Sequence, residues 1–302
     1  MGMRILIVGC GYVGLPLGAE LVRHGHVVFG LRRNRAAVGE LTAAGISPLF
    51  ADVTSLDSLK KLPGGIDWVV NCAASAGGDA EDYRRLYLEG NRNLISWLTE
   101  GGAVKKFIYT SSSSVYAQND GLWVNESSPV EPNSPTAKVL VEAEQLLLRA
   151  ALHHFPAVVL RLAGIYGPGR GYAFKQFLSG AARIEGDGSR HMNMIHRDDV
   201  VGAIIAALER GKPGEIYNAV DNEPVTQLAF YGWLAEQLRR PLPPVIVAGG
   251  DEHRETRKRG VTNKRVSNEK LRTELGYRFK HPDFRAGYAE MAQGVEGTGR
   301  QR

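Results

Sequence analysis

Arg4-Ile5-Leu6-Ile7-Val8-Gly9-Cys10-Gly11-Tyr12-Val13-Gly14-Leu15 is the stretch whose reading decides the fold. Arg4–Val8 is a short apolar run, as expected of a buried strand, and Leu15–Arg23 has the apolar spacing of a helix. Three glycines join them. Gly11 permits a tight backbone turn, and Gly14 lets the helix pack close to the sheet. Small residues at Gly9 and Gly11 allow a pyrophosphate to approach backbone N–H groups at a helix N-terminus, where the helix dipole favours an anion. Glycine spacing alone is a weak signal. Here it follows a strand, opens a helix and is followed by a second strand, His26–Leu31, as a dinucleotide-binding βαβ unit requires. Gly9, Gly11, Tyr12, Val13 and Gly14 are therefore the expected cofactor-binding turn.

The end of the second strand reads Gly30-Leu31-Arg32-Arg33-Asn34. An acidic residue there would accept hydrogen bonds from a ribose 2′-hydroxyl and favour NAD. Two arginines stand in its place, and guanidinium groups bind a 2′-phosphate bidentately. NADP is the expected cofactor, with NAD possible. Asp52, beside Val53 after the third strand, either accepts from the adenine amino group or caps a helix starting near Ser55.

Outward from this unit, short apolar runs alternate with longer amphipathic ones. Ile46–Phe50, Trp68–Asn71, Phe107–Tyr109 and Val158–Leu162 read as strands. Ala36–Ala43, Asp79–Glu100 and Ala137–Ala151 read as helices. The alternation predicts an α/β fold: a Rossmann-type doubly wound parallel sheet with a smaller C-terminal substrate domain. The expected boundaries are 1–165 and 196–220 for the nucleotide domain, and 166–195 and 221–302 for the smaller one. Past Gly164, Asp198–Glu209, Leu228–Leu238 and Asn268–Leu275 read as helices, Pro241–Pro244 as a turn or linker, and Gly294–Arg302 as a frayed tail.

The 302 residues carry 37 Lys and Arg against 32 Asp and Glu, a net charge of +5. That mild excess suits polyanionic small molecules and argues only weakly for nucleic acid. Two cysteines, Cys10 and Cys72, make no disulfide framework, so a reducing, cytoplasmic setting is expected. No apolar run reaches the ~20 residues that span a bilayer, and the N-terminal apolar run is too short for a signal segment. A metal site is not expected, since adjacent His153 and His154 do not share a helix face.

Several segments resemble the extended short-chain dehydrogenase/reductases of the NAD-dependent epimerase/dehydratase family. They are Val70-Asn71-Cys72-Ala73-Ala74, Thr110-Ser111-Ser112-Ser113-Ser114-Val115-Tyr116 and Leu160-Arg161-Leu162-Ala163-Gly164-Ile165-Tyr166-Gly167-Pro168-Gly169. Met194-Ile195-His196-Arg197-Asp198-Asp199-Val200 and Ser267–Asp283 complete them. Val8 stands where the family's usual loop has its first glycine. The resemblance implies that Ala73, Ala74, Ser75, Ala163 and Ile165 lie against the cofactor. It also implies a small-molecule substrate, phosphorylated or nucleotide-linked in many members, and a homodimer through the two long helices. Neither nucleic acid nor membrane is an expected partner.

The family's chemistry uses a Ser or Thr on the substrate oxygen, a Tyr as general acid/base, and a Lys four residues after the Tyr. Ser112 matches the first, and Lys138 matches the lysine in both its catalytic and cofactor-binding roles. Four residues before Lys138 stands Ser134, not tyrosine, and no tyrosine lies between Tyr116 and Tyr166. A serine hydroxyl titrates far above a phenol and does not replace it. The dehydratase subclass is disfavoured as well, because Ser113 and Ser114 occupy its acidic pair. Three readings follow: an enzyme with a relocated acid/base (Tyr116, Tyr166, Tyr87, His196 or a substrate group), an NADP-binding module without turnover, or a nucleic-acid contact through the basic run His253–Arg265. Glu126 resembles a loop residue over the family's substrate pocket.

Overall fold

The computed structural model describes residues 2–75, 77–102, 104–247 and 262–299, with backbone only from 294 onward. Seven parallel strands form the central sheet: β1 Arg4–Val8, β2 Val27–Arg32, β3 Ser47–Phe50, β4 Trp68–Asn71, β5 Lys106–Ser112, β6 Ala157–Leu162 and β7 Ile216–Ala219. Their order is β7-β6-β5-β4-β1-β2-β3. The chain winds one way from β1 to β3, then restarts at β4 on the other side of β1. That reversal leaves a crevice beyond the carboxyl ends of β1 and β4. Val8 pairs with both Leu31 and Asn71, so the glycine turn leaves the sheet at that crevice.

The strands are near-continuous apolar runs because helices cover both faces. Ile5, Leu6 and Ile7 are fully buried, as are Val69, Val70, Phe107 and Ile108. Helix α1, Gly14–Arg23, buries Leu17 and Leu21. A continuous helical run covers Ala80–Tyr83, Arg84–Glu89 and Gly90–Glu100, begun by Asp79, whose carboxylate accepts from the N–H groups of Glu81 and Asp82. Its central segment is π-helical and packs against α2, Pro135–Leu152. The expected helix over Ala36–Ala43 is split, because Asn34 caps a 3-10 turn at Arg35–Ala37 before Val38–Ala43 becomes α-helical.

Past β6 the sheet gives way to two-stranded pairs. Gly164–Tyr166 pairs with Met194–His196, and Ile184–Glu185 with Val245–Ile246, directly after Pro241–Pro244. Together with helices α3 Tyr172–Leu178, α4 Gln227–Gln237 and α5 Phe284–Gly299, they enclose a second apolar cluster. It contains Phe174, Phe177, Phe230, Tyr231, Phe284 and Tyr288. The tail differs from the expected frayed segment: α5 carries helix as far as Gly299. Among the described residues no helix is long and apolar enough to cross a membrane.

Candidate active site

The glycine turn is forced by what surrounds it. Gly9 has φ +80°, and a Cβ there would lie 2.4 Å from the Cα of Ala73. Gly9 and Cys10 donate to the Leu31 carbonyl at 3.1 and 3.3 Å, which ties the turn to β2. A Cβ on Gly14 would meet the Gly9 carbonyl oxygen at 2.9 Å. Gly11 faces outward, and there a Cβ would meet Nη1 of Arg32 at 2.9 Å. A guanidinium therefore stands directly over the turn.

A cleft of about 890 Å³ runs over these carboxyl ends. Gly9, Gly11, Tyr12, Val13, Arg32, Arg33, Val53, Ala73, Ala74, Ala163, Ile165 and Ser112 all border it. Four expected site residues do not. Gly14 is buried beneath the turn. Asp52 turns its carboxylate to the N–H and hydroxyl of Thr54, while Ser55 caps the next helix with its own side chain. Ser75 donates its N–H to the Tyr87 hydroxyl and its own hydroxyl to the Gly77 carbonyl. Lys138 is exposed and absent from the cleft wall.

The reason for the last lies in the phase of α2. Leu140 borders the cleft. Each helical residue turns about 100°, so Lys138 points about 200° away from Leu140. The residue one turn before Leu140 on the same face is Thr136, which is buried, and the residue one turn after it is Glu144. Glu144 fixes this phase. Its carboxylate takes Arg161 at 2.7 Å and the Ser111 hydroxyl at 2.5 Å, with both partners of the ion pair almost fully buried. On this face α2 thus presents Leu140 to the cleft, with Thr136 buried one turn earlier, and neither side chain is ionisable. Ser134 is the N-cap of α2, accepting from Ala137.

The other acid/base candidates separate clearly. Tyr116 is fully buried; Arg161 donates to its hydroxyl at 2.8 Å, and that hydroxyl donates to Asn218 at 2.9 Å. Burial pushes its phenol above the ordinary range. Tyr166 is stacked on Tyr288 at 4.2 Å, and burial raises its phenol too. His196 caps the helix Arg197–Arg210 through Nδ1, and desolvation lowers its imidazole. Glu126 spends one oxygen on the N–H of Asn218 at 2.7 Å. Of Tyr116, Tyr166, Tyr87 and His196, only Tyr87 borders the cleft.

Sequence reasoning missed three polar residues of the opposite wall: Arg170, Tyr172 and Lys175. Tyr172 is 80% exposed at the rim, one helical turn before Lys175, and it also borders a second, smaller chamber. The available signal was the spacing of Phe174 and Phe177, whose burial turns Tyr172 and Lys175 outward. Tyr12 lies between the two walls, with the Arg170 and Arg197 guanidinium groups about 5 Å from its ring.

His196, Asp199 and His281 bring ligand-type atoms within 4.8 Å of one another. Both Asp199 oxygens are already occupied: the Tyr277 hydroxyl and the N–H of Lys280 donate to one, and the N–H of His281 to the other. This cluster latches the C-terminal segment to the sheet domain. Of the basic run His253–Arg265, residues 253–261 lie outside the described residues.

A parallel doubly wound sheet with a glycine turn at its switch point defines a Rossmann-type dinucleotide fold. The model of the NAD dependent epimerase/dehydratase family matches residues 5–219, and the chain belongs to that family. It is 28% identical over 291 residues to Protein YeeZ of Escherichia coli K12, covering 93% of this chain and 97% of YeeZ. It is 30% identical over 248 residues to 4-hydroxy-2-methyl-3-oxo-4-farnesyl-3,4-dihydroquinoline-1-oxide ketoreductase of Stigmatella aurantiaca, covering 78% of this chain and 73% of that one. Among solved structures, the dTDP-glucose 4,6-dehydratase DesIV of Streptomyces venezuelae, with NAD and TYD bound, superposes with a TM-score of 0.82. Identity there is 23%, over 98% of this chain and 97% of DesIV, so the likeness is one of fold.

Proposed function

We propose that the chain is an NADP-dependent oxidoreductase that reduces a carbonyl group on a small molecule. The observation that carries this reading is the Arg32 guanidinium beside Gly11, in the cleft and at the end of β2, where a 2′-phosphate would lie. Its nearest carboxylate, Glu40, stands at 3.6 Å and is half exposed, so the guanidinium keeps donors for a second anion. Arg33, in the same wall, adds charge. The cradle fits a dinucleotide, since Gly11 faces outward beneath the Arg32 guanidinium with no side chain in the way.

The nicotinamide, when bound, supplies hydride. The chain's own residues hold the substrate and provide the proton. Ser112 ends β5 at the cleft, its oxygen accepting from the N–H of Ser114 at 3.2 Å, and its hydroxyl is the group assigned to the substrate oxygen. Tyr172 supplies the proton from the opposite wall, with Lys175 one helical turn along in the same wall. The ketoreductase named above supports a reductive reading. Dehydration is not proposed, because Ser113 borders the cleft without a neighbouring carboxylate in its wall among the described residues.

The test is NADPH oxidation in the presence of a panel of ketones, keto acids and nucleotide sugars. Turnover with at least one is expected. Ser112→Ala should then lower kcat about 10- to 100-fold while cofactor affinity stays within twofold, the size expected for one hydrogen bond to the reacting oxygen. An unchanged kcat would remove Ser112 from the reaction. A second reading, an NADP-binding module without turnover, is favoured by Leu140, an apolar residue, at the point where α2 borders the cleft. Failure of every compound to consume NADPH, with cofactor binding intact, would select it.

A further inference from the structure

Beyond Tyr172 and Ser113 the cleft continues into a chamber of about 320 Å³. Among the described residues its wall combines aromatic and thioether surface with cations. Tyr166, Tyr288 and Met194 form one part, and Arg190 and Lys264 the other. Arg190 has Glu185 at 3.6 Å. Lys264 has no carboxylate within ion-pair distance among the described residues. It is only 4% exposed, and its ammonium donates to the Tyr116 carbonyl at 2.9 Å and the Thr262 hydroxyl at 2.7 Å. An ammonium has three donors, so one remains beyond the partners found among the described residues. The Ser114 hydroxyl, in the same wall, is buried and has no partner among the described residues.

An unpaired buried cation is costly, and proteins retain one where it meets a ligand. Burial lowers the Lys264 ammonium to about 8. The size of the chamber bounds the ligand. A cavity of ~150 Å³ holds benzene, so one about twice as large holds a single ring with its substituents.

We propose that this chamber is the substrate's specificity pocket, and that Lys264 and Ser114 read an anionic group, a carboxylate or a phosphate, on a compact ring-bearing carbonyl compound. The inference rests on the reductase reading, because it places the carbonyl between Ser112 and Tyr172, beside Ser113, where chamber and cleft join. It sets the substrate apart from the large nucleotide-linked compounds that the family resemblance suggests.

The experiment is calorimetric titration of the NADP-saturated protein with phenylpyruvate, methyl phenylpyruvate and phenyl phosphate. At least one of the two anions should bind tenfold or more tightly than the neutral ester. Which one does so identifies carboxylate or phosphate as the group read. Lys264→Met should erase that difference by weakening the anion alone, and the NADP affinity of the variant reports that it is folded. Equal binding of anions and ester, or a preference that survives Lys264→Met, would overturn the proposal. Loss of NADP binding by the unaltered protein would instead defeat the reductase reading, and the three titrations would still decide the chamber's preference on the cofactor-free chain.

Discussion

Tyr172→Phe is expected to lower kcat for carbonyl reduction by about 10²- to 10⁴-fold with KM changed less than threefold, the range typical of removing a positioned acid. The argument is by position. The helix that carries the acid/base pair by family resemblance turns Leu140 toward the cleft rather than Lys138, and Tyr116 and Tyr166 are buried in hydrogen bonding or stacking elsewhere. Tyr87 borders the cleft, but its hydroxyl accepts from the N–H of Ser75. Tyr172 borders both cavities and has a cationic neighbour one turn along, which none of the others combines. Because it is exposed at the rim, phenylalanine should leave folding intact. A kcat within threefold of the unaltered protein, in an enzyme that does turn over, would assign the proton to another group.

Glu144→Ala is expected to destabilise the fold by about 3–5 kcal/mol, the cost of leaving one member of a buried ion pair uncompensated. Arg161 would keep its charge inside the core with only the Tyr116 hydroxyl as acceptor, and Ser111 would lose its acceptor as well. The same change would free the phase of α2, so NADP affinity should fall together with stability. Denaturant unfolding measures the first effect. Replacing the pair together, as Glu144→Leu with Arg161→Met, should recover much of the loss, because an apolar pair of similar volume avoids the desolvation penalty. A loss below about 1 kcal/mol for Glu144→Ala would mean that Arg161 finds other partners at little cost.

The sheet was legible in sequence where burial dictates composition. Strands β1 and β4 have the boundaries that Arg4–Val8 and Trp68–Asn71 predict, since a parallel strand covered on both faces has to be apolar throughout. Gly9 was legible for a similar reason: its φ and its contact with Ala73 admit no side chain. The register of α2 was not. Aligning Lys138 with the family's spacing depends on the phase of the helix, and that phase is set by tertiary contacts of Glu144 with Arg161 on β6 and Ser111 on β5. Helix α5 was missed although Phe284, Tyr288 and Ala292 repeat every four residues, because Gly287 and Gly294 interrupt the pattern like a loop. Lys264 was hidden among the charges of a basic run. Its burial depends on the Tyr116 carbonyl, 148 residues away.

Arginine at the end of β2 is the feature on which the account rests. The direct measurement is equilibrium titration of NADPH and NADH, followed by the same titration of Arg32→Asp. The account predicts that the unaltered protein binds NADPH at least tenfold more tightly, as one bidentate guanidinium–phosphate contact provides, and that Arg32→Asp reverses the order. Equal affinities for the two cofactors, or an NADPH preference that survives Arg32→Asp, would contradict it.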